Sequence, residues 1–293
     1  MGCGFDYRAC EILLGGRAVK HLFAHWDEVE ALIREHSVVL FLDFDGTLAP
    51  LAPRPELAKM LPSQRKNIKD LSKQKDVQVV VISGRALDNL KKRVGVPGIT
   101  YVGNHGLELE DPGMRHVHPA ALESRLLLKK LSYRLKKAFH FMPQILVENK
   151  TFSVSVHYRQ LSEDKERFAK VVLLKETGDY LGKGRVVLTE GKKVWEIRPP
   201  VEWNKGKTVL WILARVLAQG VKHALPVYLG DDVTDEDAFK ALQHRGLSIR
   251  VTDNPREKSY ATHYLWSPQD VSEFLKRLRK IKTENARNSP HDN

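Results

Sequence analysis

Two aspartates that directly follow an apolar run are the most informative feature of this sequence. Residues 38–42 are predicted to form a buried strand, and Asp43 and Asp45 come next. Side chains at positions i and i+2 of an extended chain point the same way, so both carboxylates can face one site, and Gly46 lets the backbone turn there. Adjacent carboxylates repel each other unless a cation lies between them, and Mg²⁺ prefers oxygen ligands and often accompanies phosphate. The alternative is a simple turn, which Asp and Gly both favour.

Three further segments follow predicted strands or open a helix, and they carry groups that suit phosphate or a metal. Ser83 and Gly84 offer a hydroxyl and backbone N–H groups that can hold a phosphate oxygen. Lys205 opens a predicted helix, where the helix dipole disfavours a cation, so the lysine is held there for another reason. The third segment is acidic and contains Asp231, Asp232 and Asp235. Taken singly, the segments have structural explanations as a turn, a surface lysine and a helix N-cap.

Apolar runs of strand length alternate with helical patterns over most of the chain. The predicted strands are 38–42, 77–82, 100–103, 226–229 and 247–251, and the predicted helices are 61–73, 87–93, 208–217, 237–242 and 271–281. Continuously apolar strands that alternate with helices favour an α/β fold, in which a parallel sheet is covered on both faces. Ligands bind at the carboxyl ends of such strands, so the four segments are expected to meet in one crevice.

The pattern changes between residues 109 and 199, which are predicted to be an inserted α+β domain. Helices are predicted at 120–139 and 163–175, and strands at 145–147 and 152–158. The second of these strands alternates apolar and polar residues, which is typical of a half-exposed antiparallel strand. Residues 186–188 and 194–197 flank a predicted hairpin turn.

The remaining parts complete the predicted domain organisation. Residues 37–108 and 200–282 form the core domain, and residues 1–36 form a peripheral extension with a helix at 26–36. Residues 283–293 are polar and are predicted to be a disordered tail.

Composition limits the function classes. The chain has 293 residues, and 42% of them are hydrophobic, which supports a globular core. No apolar run approaches the length of a membrane span, and no signal peptide is predicted. Cys3 and Cys10 both lie near the N-terminus and cannot link distant parts of the fold, which fits a reducing, cytoplasmic compartment. The net charge of +12 favours anionic partners such as a phosphorylated small molecule or nucleic acid, but no nucleic-acid-reading motif is recognisable.

Taken together, the four segments resemble the haloacid dehalogenase superfamily of phosphotransferases. Within it, the chain resembles the trehalose-phosphatase family through residues 103–108, 148–150, 157–159, 191–199 and 230–236. The resemblance covers about residues 37–280. It implies a Rossmann-like parallel-sheet core with an inserted α+β cap, and Mg²⁺-dependent hydrolysis of trehalose 6-phosphate through an aspartyl-phosphate.

The resemblance also implies roles for individual residues. Asp43 would be the nucleophile, and Asp45 the general acid and then the general base. Ser83 and Lys205 would bind the phosphoryl group, and Thr47 would orient the phosphate or the nucleophile. The residues expected to hold Mg²⁺ are Asp43, Asp45 through its backbone carbonyl, Asp231 and, directly or through water, Asp232 and Asp235. The residues expected to bind the substrate are Gly84, Arg85, Asn104, His105, Glu148, Lys150, His157, Arg159, Lys193, Glu196 and Arg198.

Several alternatives stay open at this stage. A phosphatase for sucrose phosphate or glucosylglycerol phosphate, or a phosphomannomutase relative, would share the core and differ in the cap. A non-catalytic regulatory partner of a trehalose-phosphate synthase would be expected to lack Asp43, Asp45, Lys205 or Asp231, and all four are present. We expect a monomer that binds a sugar phosphate and neither nucleic acid nor membrane, and association with the synthase is left open.

Overall fold

The computed structural model describes residues 19–221 and 223–288, and two β-sheets organise this part of the chain. The strands of the large sheet are β1 (Lys20–His21), β2 (Ser37–Asp43), β3 (Val77–Ile82), β4 (Thr100–Gly103), β5 (Glu108–Asp111), β6 (Met114–Val117), β11 (Ala224–Gly230), β12 (Leu247–Val251) and β13 (His263–Leu265). Their order is β1-β13-β12-β11-β2-β3-β4-β5-β6. The pairs from β1 to β4 are parallel, whereas β5 and β6 are antiparallel to their neighbours. The predicted parallel α/β core is therefore confirmed.

Helices cover both faces of the large sheet because the central strand β2 is apolar on both sides. Val38, Leu40 and Leu42 pack into one hydrophobic cluster, and Val39 and Phe41 pack into the other. The helices that contribute to the first cluster are α1 (Trp26–Glu35), α2 (Pro62–Leu71), α3 (Leu87–Val94) and α8 (Pro268–Asn288). Those that contribute to the second are α6 (Lys205–Ala218) and α7 (Val233–Ala241). The carboxyl ends of β2 and β11, which are adjacent and parallel, consequently present their following loops at the same edge.

The small sheet forms a second layer with its own core. Its strands are β7 (Leu146–Asn149), β8 (Val154–His157), β9 (Val187–Gly191) and β10 (Val194–Arg198), in the antiparallel order β7-β8-β10-β9. Two long helices, α4 (Pro119–Ala138) and α5 (Glu163–Gly182), share a hydrophobic cluster with it. Residues 118–199 are called the small-sheet unit below. Short 3₁₀ turns lie at Leu22–His25, Pro55–Leu57 and Asn104–Gly106.

The structure differs from the predicted domain organisation at the start of the small-sheet unit and in the first 36 residues. Because β5 and β6 extend the large sheet, the small-sheet unit begins after Val117 rather than at residue 109. The first 36 residues are not wholly peripheral, since β1 is the edge strand of the large sheet and Leu22 and Ile33 are fully buried. Cys3 and Cys10 lie outside the described residues.

The predicted disordered tail is wrong for residues 283–288, because α8 continues to Asn288. Contacts with α1 explain the extra turns: Arg34 donates a hydrogen bond to Glu284, and the Arg34 carbonyl accepts one from Asn285. Residues 289–293 lie outside the described part of the chain. No helix in the described ranges is both long enough and apolar enough to cross a lipid bilayer.

Candidate active site

A buried lysine joins the carboxyl end of β2 to the first turn of α7. Asp43 ends β2, and Lys205 opens α6, whose N-cap is formed by the Asn204 side chain. The Lys205 ammonium lies 2.7 Å from Oδ1 of Asp43 and 2.7 Å from Oδ1 of Asp235. The lysine is therefore held at a helix N-terminus by two carboxylates, which explains how the site tolerates an unfavourable position for a cation.

Asp235 is saturated with hydrogen bonds. Its Oδ1 also accepts from the Tyr228 hydroxyl at 2.6 Å, and its Oδ2 accepts the backbone N–H groups of Asp231 and Asp232 at 3.0 and 2.9 Å. Asp235 thus fixes the acidic loop at the start of α7. The Asp232 side chain caps that helix through the N–H of Val233 and is not part of the acidic cluster.

Asp231 supplies the third carboxylate of the cluster. Oxygens of Asp43, Asp231 and Asp235 lie within 4.8 Å of one another, and all three residues are buried. Oδ1 of Asp231 is buried without a hydrogen-bond partner among the described residues. Gly46 has a φ of +88°, and a Cβ atom there would collide with the Asp231 carboxylate. This donor set fits a hard divalent cation, because three buried carboxylates lie together and one oxygen of Asp231 has no hydrogen-bond partner among the described residues.

Burial and mutual repulsion shift the pKa values in this cluster. Burial and the charges of Asp235 and Asp231 raise the pKa of Asp43 well above its usual range, although Lys205 opposes the shift. Burial raises the pKa of Asp231 to about 7. Burial alone would lower the pKa of Lys205, but Asp235 and Asp43 raise it well above its usual range. Without a further cation, the cluster carries excess negative charge.

Asp45 is held by an arginine rather than by the acidic cluster. Arg85 donates from Nε and Nη2 to the two oxygens of Asp45, at 2.7 and 2.6 Å. The guanidinium also donates to the carbonyl of Pro55 and to the side chain of Asn89. Arg85, predicted to bind substrate, therefore has protein partners at every side, and its fixed position orients the more exposed Asp45.

Of the predicted phosphate-binding groups, Ser83 and Gly84 line the cavity, whereas Thr47 does not. Ser83 and Gly84 line the cavity next to Asp43, and the Ser83 hydroxyl accepts the backbone N–H of Arg85 at 3.2 Å. Thr47 is fully buried, and its hydroxyl has no hydrogen-bond partner among the described residues.

The polar face of β8 was predicted to be half-exposed, and this prediction is wrong. Ser153, just before β8, and Ser155 within it are fully buried, and both hydroxyls donate to Oε1 of Glu196, at 3.0 and 3.3 Å. The Lys150 ammonium donates to the same oxygen at 3.1 Å and to the Gly84 carbonyl at 2.8 Å. The polar side of the small sheet therefore faces the large-sheet domain across a cavity instead of facing water.

His105 completes the network around Glu196. Its Nε2 lies 2.7 Å from Oε2 of Glu196, and its Nδ1 is buried without a partner among the described residues. Burial lowers the pKa of His105, although the adjacent Glu196 opposes the shift. Burial alone would raise the pKa of Glu196, but the adjacent His105 and Lys150 hold it well below its usual range. Asn104 and His105 both adopt positive φ angles, 47° and 57°, which places strain at this corner.

The other predicted substrate-binding residues line the same cavity, except for Asn104. Glu148 bonds His157 across β7 and β8 at 3.0 Å. Asn104 donates to Glu108 and to the Lys150 carbonyl, and is fully buried. Arg198, at the end of β10, donates to the Trp203 carbonyl in the segment that leads back to the large sheet.

Two neighbouring lysines in the β9–β10 turn point in different directions. Lys193, predicted to bind substrate, donates to Glu166 of α5 at 2.7 Å. Lys192, which the sequence analysis did not select, donates to Oδ2 of Asp231 at 2.7 Å and to the Asp231 carbonyl at 3.0 Å. The alternation of a hairpin could indicate that adjacent lysines diverge, but only the three-dimensional placement of the turn shows which of them reaches the acidic cluster.

A cavity of about 530 Å³ separates the two sheets, and both contribute to its wall. Asp43, Asp231 and Lys205 lie on one side, and Lys150 and Glu196 lie on the other. A pocket of this size holds a ligand of drug-like or disaccharide dimensions. The acidic cluster with Lys205 and the polar side of the small sheet therefore line one cavity.

A buried aspartate at the carboxyl end of a central parallel strand, bonded to a lysine and beside an acidic loop, defines the haloacid dehalogenase class of α/β phosphatases. The family model described as trehalose-phosphatase matches residues 41–271. The chain belongs to the trehalose-phosphatase family.

Individual relatives agree with this assignment. The trehalose-phosphate phosphatase of Mycobacterium tuberculosis is 38% identical over 244 residues, which cover 82% of this chain and 61% of that protein. The probable trehalose-phosphate phosphatase D of Arabidopsis thaliana is 33% identical over 273 residues, covering 89% of this chain and 72% of that protein. The solved C-terminal domain of Candida albicans trehalose-6-phosphate phosphatase has the same fold. It superposes with a TM-score of 0.75 at 24% identity, covering 91% of this chain and 99% of that one.

Proposed function

We propose that this chain is a Mg²⁺-dependent phosphatase that hydrolyses trehalose 6-phosphate to trehalose and phosphate. One observation carries the proposal: the buried Asp43–Lys205 pair opens into the same cavity as the polar wall of the small sheet. Membership of the trehalose-phosphatase family and the names of the mycobacterial and plant relatives support the choice of substrate.

Asp43 acts as the nucleophile. Its carboxylate oxygen forms a bond to phosphorus while the bond from phosphorus to the sugar oxygen breaks, which leaves an aspartyl-phosphate. Lys205 offsets the negative charge of the phosphoryl oxygens, and Ser83 and the backbone at Gly84 hold them in place. Water then attacks phosphorus, the bond to Asp43 breaks, and phosphate is released.

Asp45 gives its proton to the departing sugar oxygen and later takes one from the attacking water. Both of its oxygens accept hydrogen bonds from Arg85 in the substrate-free structure. Asp45 must therefore leave at least one of these bonds before it can carry and deliver a proton. Arg85 is best described as the residue that positions Asp45.

Asp43 and Asp231 would hold the divalent cation, which neutralises charge on the phosphoryl group when it is bound. Asp235 uses both oxygens for protein hydrogen bonds and would position the loop rather than bind the cation directly. Asp232 would serve as the helix cap. The orphaned Oδ1 of Asp231 supports this division of roles.

The small-sheet unit acts as a cap that excludes water and selects the sugar. Its charged groups around Glu196 and Lys150 are buried and mutually bonded, so a ligand must offer hydroxyl groups to replace these bonds. Glu148, His157 and Arg159 extend this polar wall. Action as a cytoplasmic monomer stays a prediction, and association with a trehalose-phosphate synthase stays open.

Phosphate release from trehalose 6-phosphate, sucrose 6-phosphate and glucose 6-phosphate, each with and without Mg²⁺, tests the proposal. We expect turnover of the trehalose ester to exceed the others and to stop in excess chelator. The Asp43→Asn variant should keep the fold, judged by circular dichroism, and lose turnover. Equal turnover of all three esters would remove the substrate assignment but leave the phosphatase, whereas wild-type activity of the Asp43 variant would remove the mechanism.

A further inference from the structure

The β9–β10 turn carries a cation from the small-sheet unit into the acidic cluster. Lys192 lies at this turn and contacts Asp231 twice, through the carboxylate oxygen Oδ2 and through the main-chain carbonyl. The next residue, Lys193, has a φ of 62° and turns away to Glu166. The two adjacent lysines therefore carry the same charge but pair with different carboxylates, Lys192 with Asp231 and Lys193 with Glu166.

The turn is fixed in this position from its other side. Arg159 donates to the Lys192 carbonyl at 3.2 Å and to the Ala52 carbonyl of the large-sheet domain at 3.0 Å. Arg159 thus joins the turn to the large-sheet domain at a second point, beside the contact of the Lys192 ammonium with Asp231. The contact between Lys192 and Asp231 is one of a small set of polar bridges that hold the small-sheet unit over the cavity.

Asp231 offers its two oxygens to different surroundings. Oδ2 accepts the lysine, whereas Oδ1 is buried and has no partner in the described chain. A divalent cation at Oδ1 and an ammonium at Oδ2 would share a single negative charge and would repel each other at short range. Binding of one must therefore weaken binding of the other.

We propose that Lys192 is a placeholder cation: it neutralises Asp231 in the metal-free protein and competes with the divalent ion for that carboxylate. Because Lys192 belongs to the small-sheet unit, the same contact acts as a latch on the cavity. Metal binding loosens the latch, and by reciprocity a closed latch weakens metal binding. The inference rests on the proposed metal role of Asp231.

Titration of substrate-free protein with Mg²⁺ by isothermal calorimetry tests the competition. The Lys192→Gln variant removes the charge, and Lys193→Gln is the matched control with the same net charge and the neighbouring position. Because the Lys192 side chain is nearly half exposed, solvent screens the contact, and we expect Mg²⁺ to bind Lys192→Gln about threefold to tenfold more tightly than wild type. Lys193→Gln should bind as wild type does.

The possible outcomes distinguish a failure of the proposed competition from a failure of the proposed metal site. Equal or weaker binding by Lys192→Gln, with clear binding by wild type, overturns the competition and leaves the metal role of Asp231 standing. An equal gain in both variants would show a general charge effect and would also overturn it. Absence of Mg²⁺ binding in all three proteins would remove both the latch and the metal role.

Hydrogen exchange supplies a readout that does not depend on affinity. In wild type, saturating Mg²⁺ should increase amide exchange in the β9–β10 turn, because the contact that anchors the Lys192 ammonium is lost. In Lys192→Gln, exchange there should already be high and should not respond to Mg²⁺. Exchange in wild type that is unchanged or slower with Mg²⁺ would contradict the latch.

Discussion

Replacing Lys205 with methionine tests whether the buried ion cluster holds the fold as well as the chemistry. Methionine keeps most of the side-chain volume but removes the ammonium that bonds Asp43 and Asp235. Asp235 retains Tyr228 and two backbone N–H groups. Asp43 loses its cation, and it is only 4% exposed. The main cost therefore comes from one uncompensated buried carboxylate.

The size of the loss follows from burial. Breaking a buried ion pair by removing one partner costs about 3–5 kcal/mol, mostly because the remaining charge stays desolvated. With roughly 2–4 °C per kcal/mol for domains of this size, the large-sheet domain should melt about 6–20 °C lower in metal-free buffer. Activity should fall by at least about 10²-fold, since the phosphoryl charge loses a preorganised cation.

Thermal unfolding followed by circular dichroism, without metal and near neutral pH, measures the effect. The double variant Asp43→Asn with Lys205→Met removes the stranded charge together with its partner, so it should recover most of the lost stability. A Lys205→Met protein that melts with wild type would refute the claim that this pair stabilises the fold. A double variant less stable than Lys205→Met would show that the loss has another origin.

Three further predictions concern separate parts of the molecule. Gly46→Ala should abolish Mg²⁺ binding in calorimetry, because its Cβ would displace the Asp231 carboxylate and alanine disfavours the positive φ of this position. Normal Mg²⁺ binding by this variant would refute the steric argument. Glu196→Gln should raise KM for trehalose 6-phosphate about 10-fold or more while leaving turnover of p-nitrophenyl phosphate nearly unchanged, since the charged hydrogen bonds of the cavity wall are lost; equal effects on both substrates would contradict a role in sugar selection. Burial lowers the pKa of His263 to about 4. Between about pH 4 and 6.5 the unfolded chain therefore binds more protons than the folded one, and the free energy of unfolding should fall by about 3 kcal/mol as the pH falls through that range. Urea unfolding at a series of pH values should show this loss of stability in wild type and a smaller loss in His263→Gln. The charged groups near His263 are His25 and Lys20, which also lower its pKa, and Glu28, which opposes them.

The central strands were predictable because they are buried on both faces. A strand packed between two helical layers is apolar over most of its length, and β2 and β3 show this pattern in residues 38–42 and 79–82. The segments that follow such strands must meet at one edge of a parallel sheet, which brings Asp43, Lys205 and Asp231 together as expected. No knowledge of loop conformation is needed for that inference.

Edge strands and short strands were not predictable in the same way. β1 has two residues, and β6 has no buried residue among its four. Neither presents a periodic apolar signal, and the tight turn before β6 relies on Gly113 at a φ of +96°. The inserted unit was consequently predicted to begin too early, at the first change of pattern.

The polar strand β8 shows why a sequence pattern alone cannot separate solvent from a binding cavity. Its alternation is that of a strand with one wet face, yet Ser155 is fully buried against Glu196. A polar face needs hydrogen-bond partners, and the sequence does not reveal whether water or protein supplies them. The distinguishing sign lies on the neighbouring strand β10, where the charged Glu196 stands between the buried apolar residues Trp195 and Ile197.

The position of Arg85 illustrates a related limit and has a mechanistic consequence. A basic residue after a phosphate-binding loop is naturally assigned to the anionic substrate, but here both oxygens of Asp45 engage its guanidinium. The guanidinium is held by Pro55 and Asn89 as well, so the mobile partner of the pair is Asp45. In the proposed mechanism Asp45 must leave Arg85 before it can carry a proton, so its release from Arg85 would link substrate binding to the proton transfer.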